Sequence, residues 1–423
     1  MSESEIGEID TAGPHLWRNN AKMVPLSENA WQVAQRNNMI GIRAIAQGSQ
    51  NRLRDIETNH EFVNLSSCSY LGLNSHPEVL QGSIDALRNE GITGFAMAEL
   101  RIRPALMEEL EHGLAQQFGG TVLPAVTCSA LSAAILPLLA SGHLTDGKPV
   151  VMVFDRFTHF SMAFVKPIVA DESLVLTCPH NDLDELEAIC KRYPRVAYIC
   201  EGVYSVGGVA KLQGLLDLQA RYGLFLYIDD SHSLSAQGSR GEGYARSRMS
   251  TLDERTIIVA SLAKAFGSTG GIAMLPNARH FDFLYRSGPL GWSQGLRIAA
   301  IGASLGSLKV HRSDELGKRQ QQLRENIAQF DRSIQTPQRG DAQNIRVVEV
   351  GTQERAVYLS NALYQHGFYC SAIFFPIVAR DRAGIRVMLR GDLDTETLTH
   401  FIAVLQNLIE EMNVDAPEKA LTP

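Results

Sequence analysis

The sequence has few cysteines, no cluster of cations and no long apolar run, and each absence argues against a class of protein. Its six cysteines are scattered without a CxxC pair, which argues against a zinc site and against a disulfide-stabilised secreted domain. Lysine and arginine number 39 against 46 for aspartate and glutamate, so the formal charge is −7, and no basic stripe indicates a nucleic-acid partner. The longest apolar run, Ala130–Ala140, is too short to span a membrane. Because the polar, acidic N-terminus lacks the pattern of a signal peptide, we expect a cytoplasmic protein.

The composition and the order of predicted elements indicate an α/β protein with more than one domain. Hydrophobic residues make up 45% and charged residues 20% of the chain, as in ordinary globular proteins. Apolar runs of strand length alternate with helical patterns, which is typical of a doubly wound, mostly parallel sheet covered on both faces. The pattern predicts an N-terminal segment and helix at 1–60, a large domain at 61–308 and a smaller α/β domain at 309–423. The main predicted strands are Val150–Phe154, Leu174–Thr177, Val196–Cys200, Leu224–Ile228 and Thr256–Ala260, and the main predicted helices are Pro77–Asn89, Pro104–Phe118 and Asp314–Ser333.

Charged and polar side chains follow three of the predicted strands directly. Asp229 and His232 follow the strand at 224–228, and Lys264 follows the strand at 256–260, ahead of a glycine-rich turn. His159 follows the strand at 150–154 in the same way. Because ligands bind at the carboxyl ends of parallel strands, we expect these side chains to share one site.

This set of groups is the one that pyridoxal 5′-phosphate needs in a protein. The cofactor takes a lysine amine for a Schiff base, a carboxylate that keeps its ring nitrogen protonated, a partner for its ring, and several donors for its phosphate. A single Asp-Asp-Ser-His or Ser-x-x-Lys motif carries little information, whereas both in this order at two strand ends carry much more. The sequence therefore predicts a pyridoxal-phosphate enzyme, and it predicts no metal site.

Six stretches of the chain match the motifs of a known family. They are Asn64–His76 (NLSSCSYLGLNSH), Glu201–Gly208 (EGVYSVGG), Asp229–His232, Ser261–Lys264, Phe374–Pro376 and Gly384–Arg386. Through them the chain resembles the α-oxoamine synthases, which are fold-type I pyridoxal-phosphate enzymes. The resemblance implies a decarboxylative condensation of a small α-amino acid with an acyl thioester, in a homodimer with shared active sites.

The same resemblance implies a role for each residue of the predicted site. Lys264 would bind the cofactor covalently and carry the proton at the substrate Cα, while Asp229 would pair with the ring nitrogen. The remaining cofactor contacts would be His159 on the ring, His232 and Ser205 on the phenolic side, Thr127, Cys128, Ser129 and Ser261 around the phosphate, and Ser293 from a partner subunit. Arg386 would bind the amino-acid carboxylate as a bidentate pair, with Asn64 and Glu99 also on the substrate side.

Several of these residues also have a purely structural interpretation. Lys264 could be a surface lysine, Asp229 a cap of the following turn, and His159 an ordinary loop histidine. Arg386 could form a structural ion pair on its strand. Cys128 is better explained as a backbone N–H donor than as a reactive thiol.

The chain departs from the family pattern where substrates are chosen. The stretch Gly94–Arg103 is shorter than usual and carries Glu99 at a usually small position, Met107 replaces a common histidine, Ser129 replaces an aromatic residue, and Arg390–Asp392 replaces an alanine-histidine pair. The amino acid, the acyl chain and its carrier, coenzyme A or an acyl-carrier protein, are therefore left open. The alternatives are a fold-type I aminotransferase, a non-catalytic subunit, and a synthase of a signal molecule or other specialised product.

Overall fold

The computed structural model describes residues 20–48, 51–375, 377–379 and 381–414; the first 19 residues of the predicted N-terminal segment, and Pro376 of the Phe374–Pro376 motif, lie outside them. Helices and strands alternate along most of this chain. The helices are α1 (Asn20–Arg36), α2 (Pro77–Glu90), α3 (Ala105–Phe118), α4 (Cys128–Ala140), α5 (Phe160–Ala163), α6 (Lys166–Glu172), α7 (Leu183–Arg192), α8 (Leu212–Tyr222), α9 (Ala278–Tyr285), α10 (Gly288–Gly291), α11 (Ile298–His311), α12 (Asp314–Ser333), α13 (Gln353–Gln365) and α14 (Thr395–Val414). The strands are β1 (Ala44–Ala46), β2 (Arg52–Asp55), β3 (Glu61–Asn64), β4 (Thr121–Ala125), β5 (Val151–Asp155), β6 (Val175–Cys178), β7 (Val196–Glu201), β8 (Phe225–Asp229), β9 (Thr256–Ser261), β10 (Gly271–Leu275), β11 (Ile345–Gly351), β12 (Phe368–Tyr369), β13 (Ser371–Ile373) and β14 (Ala383–Met388).

The large sheet has the strand order β4-β10-β9-β8-β7-β5-β6. Strands β5 to β9 pair in parallel, whereas β10 is antiparallel to both β9 and β4. This arrangement confirms the predicted α/β class with a mostly parallel sheet. Strands β4 and β10 are additional to the strands that the sequence predicts.

The strands of the large sheet are apolar along their length because both faces of the sheet are covered. Along β5, Met152 and Phe154 point into one hydrophobic core, and Val153 points into the other. On β7, Ile199 points into the same core as Met152 and Phe154, and Cys200 points into the same core as Val153. Since consecutive side chains of a strand point to opposite faces, an unbroken apolar run is what a doubly covered sheet requires.

Helix ends follow the residues expected from the sequence, with one difference. Helix α2 ends at Gly91, which has the left-handed backbone that glycine tolerates (φ 67°). Helix α12 spans the predicted residues, and the Ser313 hydroxyl at its N-cap accepts a hydrogen bond from the backbone N–H of Glu315. Helix α3 begins at Ala105, with Pro104 at the extended N-cap position rather than in the first turn.

Helices α2 and α11 approach each other closely at glycines. A Cβ atom added to Gly82 would lie 2.3 Å from the carbonyl oxygen of Gly302, and one added to Gly306 would lie 2.2 Å from that of Glu78. Any larger residue would force the two helices apart. This contact fixes the segment before α2, which contains the Asn64–His76 motif, against the large domain.

Two smaller sheets accompany the large one, and the first of them joins strands from the N-terminal and C-terminal parts of the chain. One has the order β1-β2-β3-β12, so that β3 pairs in parallel with a strand about three hundred residues later. The other has the order β11-β14-β13 and is antiparallel. The domain boundaries after residues 60 and 308 stay predictions. No helix among the described residues is long and apolar enough to cross a membrane.

Candidate active site

Three carboxylates lie at the carboxyl-end edge of the large sheet. Asp155, Glu201 and Asp229 are the last residues of β5, β7 and β8, and Glu201 is the register partner of Asp229. All three are buried. Burial and the charge of Asp229 raise the pKa of Glu201 well above its usual range, while Lys264 acts in the opposite direction. Two neighbouring carboxyl groups and a lysine therefore meet where a ligand of a parallel sheet is expected.

Lys264 lies in the turn between β9 and β10. The turn continues through Gly267, which has φ +82° and lies against the backbone of Leu73 and Asn74, leaving no room for a side chain. The Lys264 side chain is half-buried, and no residue of the described chain makes a hydrogen bond or ion pair with its amine. Its charge lowers the pKa of His232 and of His159, so it lies near both rings.

His232 is held in one orientation by a tyrosine from the Asn64–His76 motif. The Tyr70 hydroxyl lies 2.6 Å from His232 Nδ1, and both side chains are buried. Burial and the charges of Lys264 and Arg386 lower the pKa of His232 well below its usual range, so the ring is neutral. Burial also raises the pKa of Tyr70, so its hydroxyl keeps its proton. Nε2 of His232 makes no hydrogen bond within the described chain and is open to a ligand.

His159 lies at the N-cap of α5, on the loop that follows β5. Its Nδ1 accepts a hydrogen bond from the backbone N–H of Ser161 at 3.1 Å. Desolvation and the charges of Lys264 and Arg386 lower the pKa of His159, while Asp229 raises it. We refer to Lys264, Asp229 and His232 as the Lys264 cluster. Since the His159 side chain is exposed, a flat ligand at this cluster could lie against its ring.

The start of α4 offers backbone donors beside these groups. The Thr127 hydroxyl caps the helix by accepting from the N–H of Ala130 at 3.0 Å, which leaves the N–H groups of Cys128 and Ser129 at the first helical positions. A Cβ atom at Gly271 would lie 2.7 Å from the Cys128 nitrogen, so the turn after Lys264 packs directly on this helix start. The N-terminus of a helix with free N–H groups is suited to a phosphate.

Ser231 connects the three elements around this helix start. Its hydroxyl accepts a hydrogen bond from the backbone N–H of Ser261 at 2.8 Å and lies 3.7 Å from the Cys128 sulfur. Burial and the charge of Asp229 raise the pKa of Cys128 to about 12, so its thiol stays protonated at neutral pH. The Ser261 hydroxyl accepts from the N–H of Ala263 within its own turn.

Arg386 lies on β14, next to the Lys264 cluster. Its charge acts on the pKa values of Tyr70, His159 and His232, so the guanidinium faces these rings. Its Nε is buried and makes no hydrogen bond, and no carboxylate among the described residues lies within 4.0 Å of the side chain. Arg386 therefore does not form a structural ion pair with any residue of the described chain.

The other predicted site residues are Asn64, Ser205, Glu99 and Ser293, and each has its own local surroundings. Asn64 ends β3, where its Oδ1 accepts from the N–H of Ser66 at 2.9 Å. Ser205 lies half-buried in the loop after β7. Glu99 lies instead beside Arg103, with Nε 3.9 Å from Oε1, and the carbonyl oxygen of Ser293 accepts from the N–H of Glu99 at 3.0 Å. Glu99 and Ser293 thus form a separate group in this chain, and their roles at a substrate or a partner's cofactor stay predictions.

The donors and charges of the cluster fit pyridoxal phosphate. The chain offers an unpaired lysine amine, a buried carboxylate, a neutral histidine with an open Nε2, and free N–H groups at a helix start. The orphaned Nε of Arg386 adds a site for a carboxylate. No group of three or more ligating side chains among the described residues could hold a metal ion.

The sequence analysis assigns no individual role to four residues of this region. They are Tyr70, Ser231, Glu201 and Arg390. Tyr70, Glu201 and Ser231 stand inside quoted motifs, so position in a motif was their only signal. Arg390 is fully buried and donates to the carbonyl oxygen of Asn64 at 2.7 Å, a contact that no local pattern announces.

The fold and the site together define a fold-type I pyridoxal-phosphate protein. A family model described as aminotransferase class I and II matches residues 60–405, and the chain belongs to that family. It is similar to the 8-amino-7-oxononanoate synthase of Alkaliphilus metalliredigens, with 27% identity over 365 residues that cover 83% of this chain and 89% of the relative.

Solved structures share the fold at lower sequence identity. A serine palmitoyltransferase from S. paucimobilis, solved with pyridoxal phosphate and myriocin, has a TM-score of 0.80 at 17% identity and covers 93% of this chain and 99% of its own. An 8-amino-7-oxononanoate synthase from Francisella tularensis has a TM-score of 0.66 at 18% identity and covers 83% and 99%. These comparisons confirm the predicted fold class, the pyridoxal-phosphate cofactor and the resemblance to α-oxoamine synthases.

Proposed function

We propose that this protein condenses a small α-amino acid with an acyl thioester, with loss of CO2, to give an α-aminoketone and a free thiol. The observation that carries the proposal is Arg386, a cation beside Lys264 with a buried, unpartnered Nε. Such a group binds the carboxylate of an amino acid. The relatives support the reaction type, because the name 8-amino-7-oxononanoate describes amino and oxo groups on neighbouring carbons.

The residues of the cluster divide the binding of the cofactor between them. Lys264 would hold it, Asp229 would pair with its ring nitrogen, and the N–H groups at the start of α4 would bind its phosphate. His232, which Tyr70 contacts through Nδ1, would face the phenolic oxygen with Nε2. When bound, pyridoxal phosphate supplies the electron sink that stabilises negative charge at the substrate Cα.

Two side chains would then control the substrate. Arg386 would hold the carboxylate, and the uncharged Lys264 amine, released when the substrate's own amine takes its place, would remove the proton from Cα and later return one to it. The acyl carbon bonds to Cα as the thiol leaves. The carboxylate is then β to a carbonyl group, so the bond from Cα to the carboxylate breaks and CO2 departs.

The proposal includes a homodimer with shared sites. Apolar side chains around Glu99 and Ser293 are exposed in the single chain, with 58% of Trp292, 52% of Ile102 and 41% of Phe95 accessible. A second copy that covers this patch would bring Ser293 to its neighbour's phosphate site. The proposal also includes a cytoplasmic location, in keeping with six free cysteines.

A carboxyl-labelled amino acid tests the reaction. With the holoenzyme and a panel of acyl thioesters on coenzyme A or an acyl-carrier protein, labelled CO2 should appear only when a thioester is present and in proportion to the free thiol released. Keto-acid formation without thioester consumption would instead identify an aminotransferase. The Lys264→Ala variant is the matched blank, because it keeps every other group of the site.

A further inference from the structure

An apolar groove lies against the small β1-β2-β3-β12 sheet. It has a volume of about 340 Å³, and its walls include Ile40, Ile42, Leu53 and Phe62. Asn64 and Tyr369 also line it. We refer to it as the Ile40 groove.

The Ile40 groove and Arg386 are connected through neighbouring strands, because Ser371, two residues after the lining residue Tyr369, is the register partner of Arg386. Asn64 and Tyr369 are register partners on β3 and β12, and the Tyr369 hydroxyl donates to the carbonyl oxygen of Met39 at 3.0 Å. Burial raises the pKa of Tyr369, while the Arg386 guanidinium acts in the opposite direction and therefore lies nearby. A group bonded to the substrate Cα beside Arg386 can thus extend into the groove.

The walls of the groove are uncharged. None of the nine described residues that line it carries a charge. The arginines near these residues in sequence bond elsewhere: Arg43 forms an ion pair with Glu57, Arg52 donates to Thr397 at 3.0 Å and Arg54 donates to Asn59 at 2.7 Å. A carboxylate drawn into the groove would lose water without gaining a charged partner from its walls.

We infer that the Ile40 groove binds the acyl chain of the thioester, and that this chain is an uncharged aliphatic chain longer than acetyl. The inference rests on the proposed function and names its acyl substrate. The groove has roughly ten times the volume that one water molecule occupies in the liquid, so a two-carbon acyl group would fill little of it. Each methylene buried in it should strengthen binding by about fourfold.

A matched pair of thioesters tests the inference. We expect kcat/KM of the holoenzyme with heptanoyl-coenzyme A to exceed that with 6-carboxyhexanoyl-coenzyme A by roughly 100-fold or more, because the two differ only by a buried charge. Acetyl-coenzyme A should also be a poor substrate. Equal use of all three, or preference for the carboxylated chain, would overturn the inference.

Two arginine substitutions test whether the preference for the uncharged chain arises in the Ile40 groove. Ile40→Arg places a cation in the groove and should cut the preference for heptanoyl over 6-carboxyhexanoyl by at least about tenfold. Ile45→Arg makes the same change at a side chain that is 48% exposed and outside the groove, and it should leave the preference unchanged. Equal effects of the two substitutions would place the acyl chain elsewhere. Ile40→Ala, which adds no charge, should weaken heptanoyl binding if Ile40→Arg does not fold.

A binding measurement separates this inference from the reaction itself. S-heptyl-coenzyme A, a thioether that cannot react, should bind by calorimetry and lose affinity in Ile40→Arg but not in Ile45→Arg. That result supports the groove even if no thioester releases CO2, an outcome that would refute the proposed condensation alone. Binding that neither substitution weakens would refute the groove.

Discussion

Two arginines on paired strands of the antiparallel β11-β14-β13 sheet have opposite surroundings. Arg346 on β11 is fully buried, and its Nε and Nη2 donate to the two carboxylate oxygens of Asp331 at 2.7 and 2.8 Å. Arg386 on β14, opposite Val347, has a buried Nε without a partner. Removal of either partner from a buried ion pair destabilises the fold, whereas a buried cation left unpaired beside other site residues is available to a ligand.

Arg390 shows a third arrangement. It is also fully buried, and its Nε donates to Asp392 at 2.8 Å while Nη1 donates to the carbonyl oxygen of Asn64. It therefore holds the end of β3 against the strand that carries Arg386. The Arg390–Asp392 stretch, a departure from the family pattern, is thus tied to the end of β3 by the hydrogen bond from Arg390 to Asn64.

The largest effect on activity is expected for Lys264→Ala, which tests whether Lys264 serves the active site or the fold. Loss of the residue that binds the cofactor covalently should reduce activity by on the order of 10⁴-fold or more. The unfolding midpoint of the cofactor-free variant should match that of the cofactor-free wild type, since no residue of the described chain bonds to the amine. Borohydride reduction of the wild type should fix the cofactor on the peptide containing Lys264, as peptide mass spectrometry would show.

The matched control is Lys309→Ala, at a lysine whose side chain is 70% exposed. It should keep full activity. Cofactor fixed to another lysine in the wild type would contradict the assignment of Lys264.

Arg346→Ala should have the opposite profile. Removal of one partner of a buried ion pair leaves Asp331 unpaired, which typically lowers the free energy of unfolding by about 3–5 kcal/mol. Denaturant titration measures this loss, and activity per folded molecule should be retained. The double variant Arg346→Ala/Asp331→Ala should be less destabilised than the sum of the single variants; strict additivity would argue against the pair as the cause.

Arg386→Ala should reduce catalysis and spare the fold. Loss of a charge-assisted pair with a buried carboxylate costs about 2–5 kcal/mol, or roughly 30- to several-thousandfold in kcat/KM for the amino acid. The free energy of unfolding and the visible spectrum of the bound cofactor should stay close to wild type. Arg386→Lys keeps the charge but not the bidentate geometry, so it should recover only part of the loss. A large drop in stability would make Arg386 a structural residue like Arg346.

The smallest effect is expected at Cys128. Because its pKa in the folded protein is about 12, above that of a free cysteine, the thiolate forms only at strongly alkaline pH. Cys128→Ser should therefore change kcat/KM by less than about threefold, since the backbone N–H remains. Iodoacetamide should modify Cys128 slowly at pH 8 in native protein and quickly after unfolding; fast native labelling with loss of activity would show that the thiol is reactive.

The sequence by itself determines the strands of the large sheet and the residues that follow them. The apolar runs that become β5, β7, β8 and β9 are local patterns, and Asp229, His232 and Lys264 follow them immediately, so sheet geometry alone brings the three to one edge. Strands β1 to β3 carry no such pattern. Their sequence is polar in places, as in Arg52–Asp55, because they form a small sheet with exposed faces.

Only the tertiary structure decides which polar groups are paired. Tyr70 reaches His232 across 162 residues of sequence, and Arg390 reaches Asn64 across 326. Arg346 and Arg386 look alike in sequence, each within an apolar strand, and they differ because α12 brings Asp331 to one of them and no acid of the described chain to the other. Charge pairing depends on which distant elements pack together, whereas strand and helix patterns depend on neighbours along the chain.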